Sequence, residues 1–466
     1  MHSNWRNATQ WNKQGLPLTT ASDEACKLFD AIVTQYTGWY DDESLGGMAG
    51  TLEKLKAADP NFVMGQVVAN GLELLGTGRN TRLDATLQAD VQEMISLSIK
   101  SNGITARERK HVTALELWAK GSTEQACSVW EDILLEHPHD VLALKFAHDT
   151  YFYLGYSYQI RDSIARVLPH WKRTEPLYGY VLGMHSFGLE ETNLYPEAET
   201  VARKALSMNP NDAWATHTLC HVMEMTGRQH EGIYMMEKTK TYWTTCGMLA
   251  CHNTWHWALY YIELGDYESA LSLFDTEVSR RAEKSGSMLD MVDVCSLLYR
   301  LEMEGVDIGN RWDNVYGVYK DHLYDHVLAF NDLHILMSCL GANQKSAVAE
   351  MMTSIEEYIS QGQGTNKDVT AEVGETLFKA FVAYNDGDFA SAVDFVNPIR
   401  YKVHKIGGSH AQRDLVSLFL IQAAIKSHKK EHHRLARALL NERRLWKVKS
   451  PMTDRLIAKA IEIHST

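Results

Sequence analysis

Two stretches of the chain carry paired histidines. In NDAWATHTLCHVMEMTGRQ (211–229) they are His217 and His221, and in LACHNTWHWALYYIELGDYESAL (249–271) they are His252 and His256. A four-residue spacing puts both rings of a pair on one face of a helix, and Glu224 extends the first ridge. Two imidazoles so placed can reach one cation, and a ligand from a neighbouring helix would complete a site of the catalytic-zinc type. His217, His221, Glu224 and His252 are therefore the candidate ligands of a divalent metal such as zinc. Neither HTLCH nor HNTWH has the glutamate of HExxH, so the metalloprotease pattern is absent. Thiol nucleophiles are disfavoured by geometry: Cys220 precedes His221 and Cys251 precedes His252, and adjacent helical residues point about 100° apart.

The elements that must position these residues follow from a recurring turn. LWAKGSTEQACSVWEDILLEHP (117–138), TNLYPEAETVARKALSMNP (192–210), LGDYESALSLF (264–274) and NDGDFASAVDF (385–395) share one plan, with Gly or Asn at the turn and a small residue five positions on. Turns fall at Gly121, Gly155, Asn193, Gly227 and Gly265, spaced 34, 38, 34 and 38 residues apart, then more loosely at Gly305, Gly341 and Gly387. Pro138 and Pro210 close the second helix of their units, because a proline cannot continue it. This is the tetratricopeptide signature. It predicts an all-α, tetratricopeptide-type helix–turn–helix repeat solenoid, a right-handed superhelix with degenerate and capping units. The regular core spans 106–280, between an N-terminal capping region with a degenerate repeat (1–105) and degenerate repeats with a C-terminal cap (281–466).

In such a repeat the first helix of each pair lines the concave groove. The groove-facing positions hold His111, Lys145, Asp149, Tyr180, Glu190, His217, His221, Glu224, His252 and Trp255, with His256 at the edge of the stripe. That mixture is the chemistry of a binding surface. With Lys145 nearly the only cation among them, a neutral or basic ligand suits it better than an acidic tail. A second polar set, Asp290 and Asp293 with Asn331, Asp332 and His334, lies where the period is disturbed. LLGTGRNTR (74–82) lacks the rest of a phosphate-binding loop and reads as a helix end, while KIGGSHAQRD (405–414) reads as a long turn with an N-cap serine.

Composition narrows the function classes. Hydrophobic residues make up 45% and proline only 9 of 466, which suits a packed helical protein. The net charge is −13 with no long basic stripe, so nucleic acid is not expected as a partner. Seven cysteines without a CxxC pair predict buried, reduced thiols and a cytoplasmic location. No stretch is long and apolar enough for a membrane span.

Over residues 20–340 the chain resembles the tetratricopeptide repeat protein 38 family. The likeness rests on TASDEACKLFDAIVTQY, LKAADPNFVMG, ALKFAHDTYFYLGY, NPNDAWATHTLCHVMEM, MLACHNTWHWALYYIELGDYESAL, LLYRLEMEGV and FNDLHILMSCLGA, and PIRYKVHKIGGSHAQRD continues it. The resemblance implies a cytosolic helical-repeat protein and transfers no reaction. The chain departs from it at Val222 and Met223, where the family pattern has text like AHIHEM with a further histidine in place of Met223; His221 and Glu224 match. The expectation is a scaffold binding a peptide or protein partner in its concave groove. The alternative is a metal- or small-ligand-binding protein, or an enzyme, with a His/Glu site of His217, His221, Glu224, His252 and His256 in the enclosed superhelix.

Overall fold

The computed structural model describes residues 4–465. Among these, every regular element is helical and no strand occurs. The fold is all-α and of the tetratricopeptide helical-repeat type.

One backbone device recurs at the predicted turns. Gly121, Gly155, Asn193, Gly227, Gly265, Gly305 and Gly387 all have positive φ, from 63° at Asn193 to 87° at Gly305. The amide after each donates back across the turn: Ser122 to Leu117 O at 2.8 Å, Arg228 to Met223 O at 2.9 Å and Asp266 to Tyr261 O at 2.9 Å, for example. This is the Schellman closure, which satisfies a helix's last carbonyls and needs a residue that tolerates the left-handed region. The loosely matched turn at Gly341 is displaced. Gly341 is still helical, and Asn343 takes the left-handed conformation at φ 55°, with Gln344 N donating to Cys339 O at 2.8 Å. Asparagine does glycine's task there, because its short polar side chain tolerates that backbone.

The small residue after the turn lets paired helices approach. Ala126, Ala198, Ala270 and Ala392 are fully buried, and at the equivalent Gly232 an added Cβ would lie 2.4 Å from the Tyr260 ring. The chain forms two compact units. The first comprises Met1–Thr218, Thr241–Ala250 and Gln363–Thr365, and the second Leu219–Lys240, Cys251–Gly362 and Asn366–Thr466. Helix Ala213–Met225 contributes its first half to one unit and its second half to the other. All seven cysteines are buried free thiols, and among the described residues no helix is long and apolar enough to cross a membrane.

Candidate metal centre

All the residues predicted to line a groove are buried except His252, which is half-buried. They form polar networks inside each unit rather than an exposed surface.

The first unit holds two ion-paired networks. His111 Nε2 lies 2.9 Å from Asp140, which also accepts from Arg107 at 2.7 Å. Lys145 is fully buried and donates to both oxygens of Asp149, at 2.6 and 2.5 Å, while Tyr36 donates its hydroxyl to the same carboxylate at 2.8 Å. The rings of Tyr36, Trp39 and Trp214 surround the ammonium at 4.7 to 5.5 Å. Burial pulls the Lys145 ammonium below its ordinary range, only partly offset by Asp149. Tyr180 and Glu190 are buried on helix Tyr178–Glu191. His217 belongs to this unit and packs between Phe187 and Trp214, with centroids 5.0 and 5.8 Å away.

The second unit gathers the remaining histidines. His252 and His256 share a face of helix Met248–Leu264, and His221 comes from the adjoining end of helix Ala213–Met225. Each offers a ring nitrogen, and these atoms all lie within 4.8 Å of one another. Ring centroids are 4.3 Å apart for His221 and His256 and 4.9 Å for His252 and His256. Around one zinc ion with tetrahedral angles, nitrogens would sit about 3.4 Å apart.

A layer of carboxylates stands behind these rings. His252 Nδ1 lies 2.8 Å from Asp293 Oδ2, on helix Met288–Met303, and His256 Nδ1 lies 3.5 Å from Glu224 Oε2. A carboxylate on Nδ1 leaves the Nε2 lone pair to face an ion, as in carboxylate–histidine–metal arrangements. Glu224 is thus placed beside a histidine rather than among the ligand atoms; its other oxygen is taken by the Lys447 ammonium. Burial pushes the Glu224 carboxyl up, but Lys447 and His256 outweigh it and hold the group well below the usual carboxylate range. Burial takes the His256 imidazole down to about 3, which keeps it neutral at neutral pH. Trp255 stacks on His252 with centroids 5.1 Å apart and rings 12° from parallel.

The KIGGSHAQRD turn completes the surroundings. Ser409 caps helix His410–Lys426 in a capping box with Gln412, which seats His410 5.2 Å from His221 between centroids. Gln412 Nε2 reaches Asp293 at 3.5 Å, and Arg300 donates to the Ala411 carbonyl at 2.7 Å. Asp290 accepts from Ser285 at 2.6 Å, and burial raises its carboxyl to about 6. Asp332 lies 3.2 Å from His326, and His334 turns back onto the Phe330 carbonyl at 2.7 Å, so neither joins the cluster. Arg443 and Lys447 were not legible as site residues, because the basic segment 426–449 that holds them alternates with Leu and Ala in the manner of a solvated helix face.

No family model matches the chain. It is similar to a solved structure of the human IFIT1 dimer with m7Gppp-AAAA, at 11% identity over 96% of each chain with a TM-score of 0.38. It is also similar to the human IFIT1 dimer with PPP-AAAA, at 13% identity over 100% of this chain and 99% of that one, with a TM-score of 0.40. Those structures hold nucleotide ligands, which corrects the exclusion of nucleic acid drawn from net charge. A formal charge is summed over the whole chain and does not report which ligands a local set of donors can hold. The chain is a helical-repeat scaffold.

Proposed function

We propose that this helical-repeat protein is a metalloprotein, whose second unit binds a divalent transition metal, such as zinc, through His221, His252 and His256. The observation that carries this reading is the convergence of three imidazole nitrogens within 4.8 Å, with Asp293 2.8 Å behind His252. Three nitrogen ligands with an open position are the coordination of catalytic zinc, and imidazole suits zinc, copper, iron and nickel. An open groove gains no support from residues that are buried. His217 sits one turn before His221 on the same helix and is not needed for the set of three.

The test is elemental analysis of the purified, untagged protein, followed by titration of the metal-free protein with zinc. Near-stoichiometric metal that disappears in His221→Ala and His256→Ala variants is the expected result. Absence of metal from the isolated protein, together with no zinc binding by the folded metal-free chain, would overturn the reading. The finer family assignment, to the tetratricopeptide repeat protein 38 family, belongs to the same proposal and rests on the sequence segments quoted above. So does a cytoplasmic location, which seven free buried thiols support and which imaging of the tagged protein in cells tests.

A further inference from the structure

Residues 447–455 run from helix Lys430–Trp446 into helix Pro451–Ser465 and pass over the ends of three helices of the second unit. Ser450 donates its hydroxyl to Glu263 Oε1 at 2.5 Å, and the amide of Met452 reaches the same oxygen at 3.2 Å. Arg455 donates to the carbonyls of Glu263 and Ile262 at 2.9 and 2.8 Å and to Glu304 at 2.8 Å. At Gly227 an added Cβ would fall 2.5 Å from the Val448 carbonyl oxygen, so the segment lies directly on that turn. A cationic side chain at the C-terminal end of a helix also meets the negative end of its dipole.

Lys447 stands apart from these fastenings. Its side chain is 3% exposed, and its ammonium pairs with Glu224 Oε1. Glu224 Oε2, the other oxygen of that carboxylate, faces His256 Nδ1. Charge, carboxylate and imidazole thus form a line that ends at the histidine cluster. A buried carboxylate with its cation removed is an uncompensated charge, and its cheapest relief is to take another cation or a proton.

We propose that Lys447 is a positioning residue of the metal centre: it holds Glu224 against His256 Nδ1, so that His256 presents Nε2 to the ion and Glu224 stays out of the coordination sphere. This rests on the metal reading above. Without Lys447, Glu224 is released to compete for the metal, and the ligand set shifts from nitrogen toward oxygen. Outer-layer partners of metal-bound histidines are worth roughly 10–100-fold in affinity.

Cobalt(II) is the probe, because its visible absorption reports the donor atoms while its titration reports affinity. Metal-free wild type, Lys447→Met, Ser450→Ala and Lys447→Met/Glu224→Gln are titrated side by side, with circular dichroism as the check on folding. Ser450→Ala removes a neighbouring fastening and leaves the Lys447–Glu224 pair in place. The expected result is a roughly 10–100-fold loss of cobalt affinity with an altered spectrum in Lys447→Met, near-wild-type behaviour in Ser450→Ala, and substantial recovery in the double variant, which removes both charges. If Lys447→Met does not fold, the double variant, without a stranded charge, carries the test through its spectrum: a wild-type spectrum supports the proposal, and an oxygen-rich one overturns it. Wild-type affinity and spectrum in Lys447→Met overturn it. So does an equal loss in Ser450→Ala, which would make Lys447 one structural fastening among several. Failure of the wild type itself to bind cobalt overturns the metal reading, and this inference with it.

Discussion

At the scale of single residues the interior holds many ionisable groups, several of them in close pairs such as Lys145 with Asp149 and Arg443 with Asp414. The contrast between His252 and His217 is instructive. His252 is backed by Asp293 at 2.8 Å, whereas His217 is packed between aromatic rings. We expect His252→Ala to reduce bound metal to well below one equivalent, read by elemental analysis. Asp212 supplies a separate pH dependence. It caps helix Ala213–Met225 by accepting from Ala215 N at 3.1 Å, and burial raises its carboxyl to about 7. The native state therefore favours the protonated form. Its contribution is complete below the unfolded carboxyl range near 4 and is lost as pH rises through about 7, at no more than about 1.4 kcal/mol per pH unit. Asp212→Asn keeps a good cap and removes the charge. Thermal melts from pH 5 to pH 8 should show wild type losing stability relative to this variant; parallel curves would refute the assignment.

At the scale of elements, the repeats depend on close approach between helices and on turns that accept positive φ. On helix Tyr178–Glu191, an added Cβ at Gly188 would lie 2.5 Å from the Arg161 Cα, and backbone cannot swing aside as a side-chain tip can. Gly188→Ala should cost about 1–3 kcal/mol in urea denaturation. The turn at Asn343 gives the opposite case. With φ at 55°, Asn343→Gly should be neutral or mildly stabilising, and Asn343→Ala should destabilise by about 1 kcal/mol. Equal stability of the two variants would argue against this account of the displaced turn.

At the scale of the whole molecule, metal binding is linked to stability, because the ligands His221, His252 and His256 come from two helices that must be folded to meet. Zinc at a hundredfold excess over its dissociation constant should stabilise the protein by about 2.7 kcal/mol. Hydrogen exchange should slow on zinc addition in helices Met248–Leu264 and Met288–Met303, and remain unchanged in helix Asp23–Gly38 of the first unit. Uniform slowing, or none, would separate metal binding from the histidine cluster.

Much of this was legible in the sequence. Periodicity and turn residues are local signals, so Gly121, Gly155, Asn193, Gly227 and Gly265 could be placed from spacing alone, and the all-α repeat fold followed. The pairing of His252 with His256 was equally local, since helical geometry puts residues four apart on one face. Where the turn residue was not glycine, at Asn343, the same signal slipped by two positions. What only the tertiary structure decided was which polar residues are buried together. Asp293 behind His252, Lys447 on Glu224 and Arg443 on Asp414 join residues 41, 223 and 29 positions apart. Burial turns such groups from solvated surface charges into obligate pairs, and no local pattern records which partner each will meet.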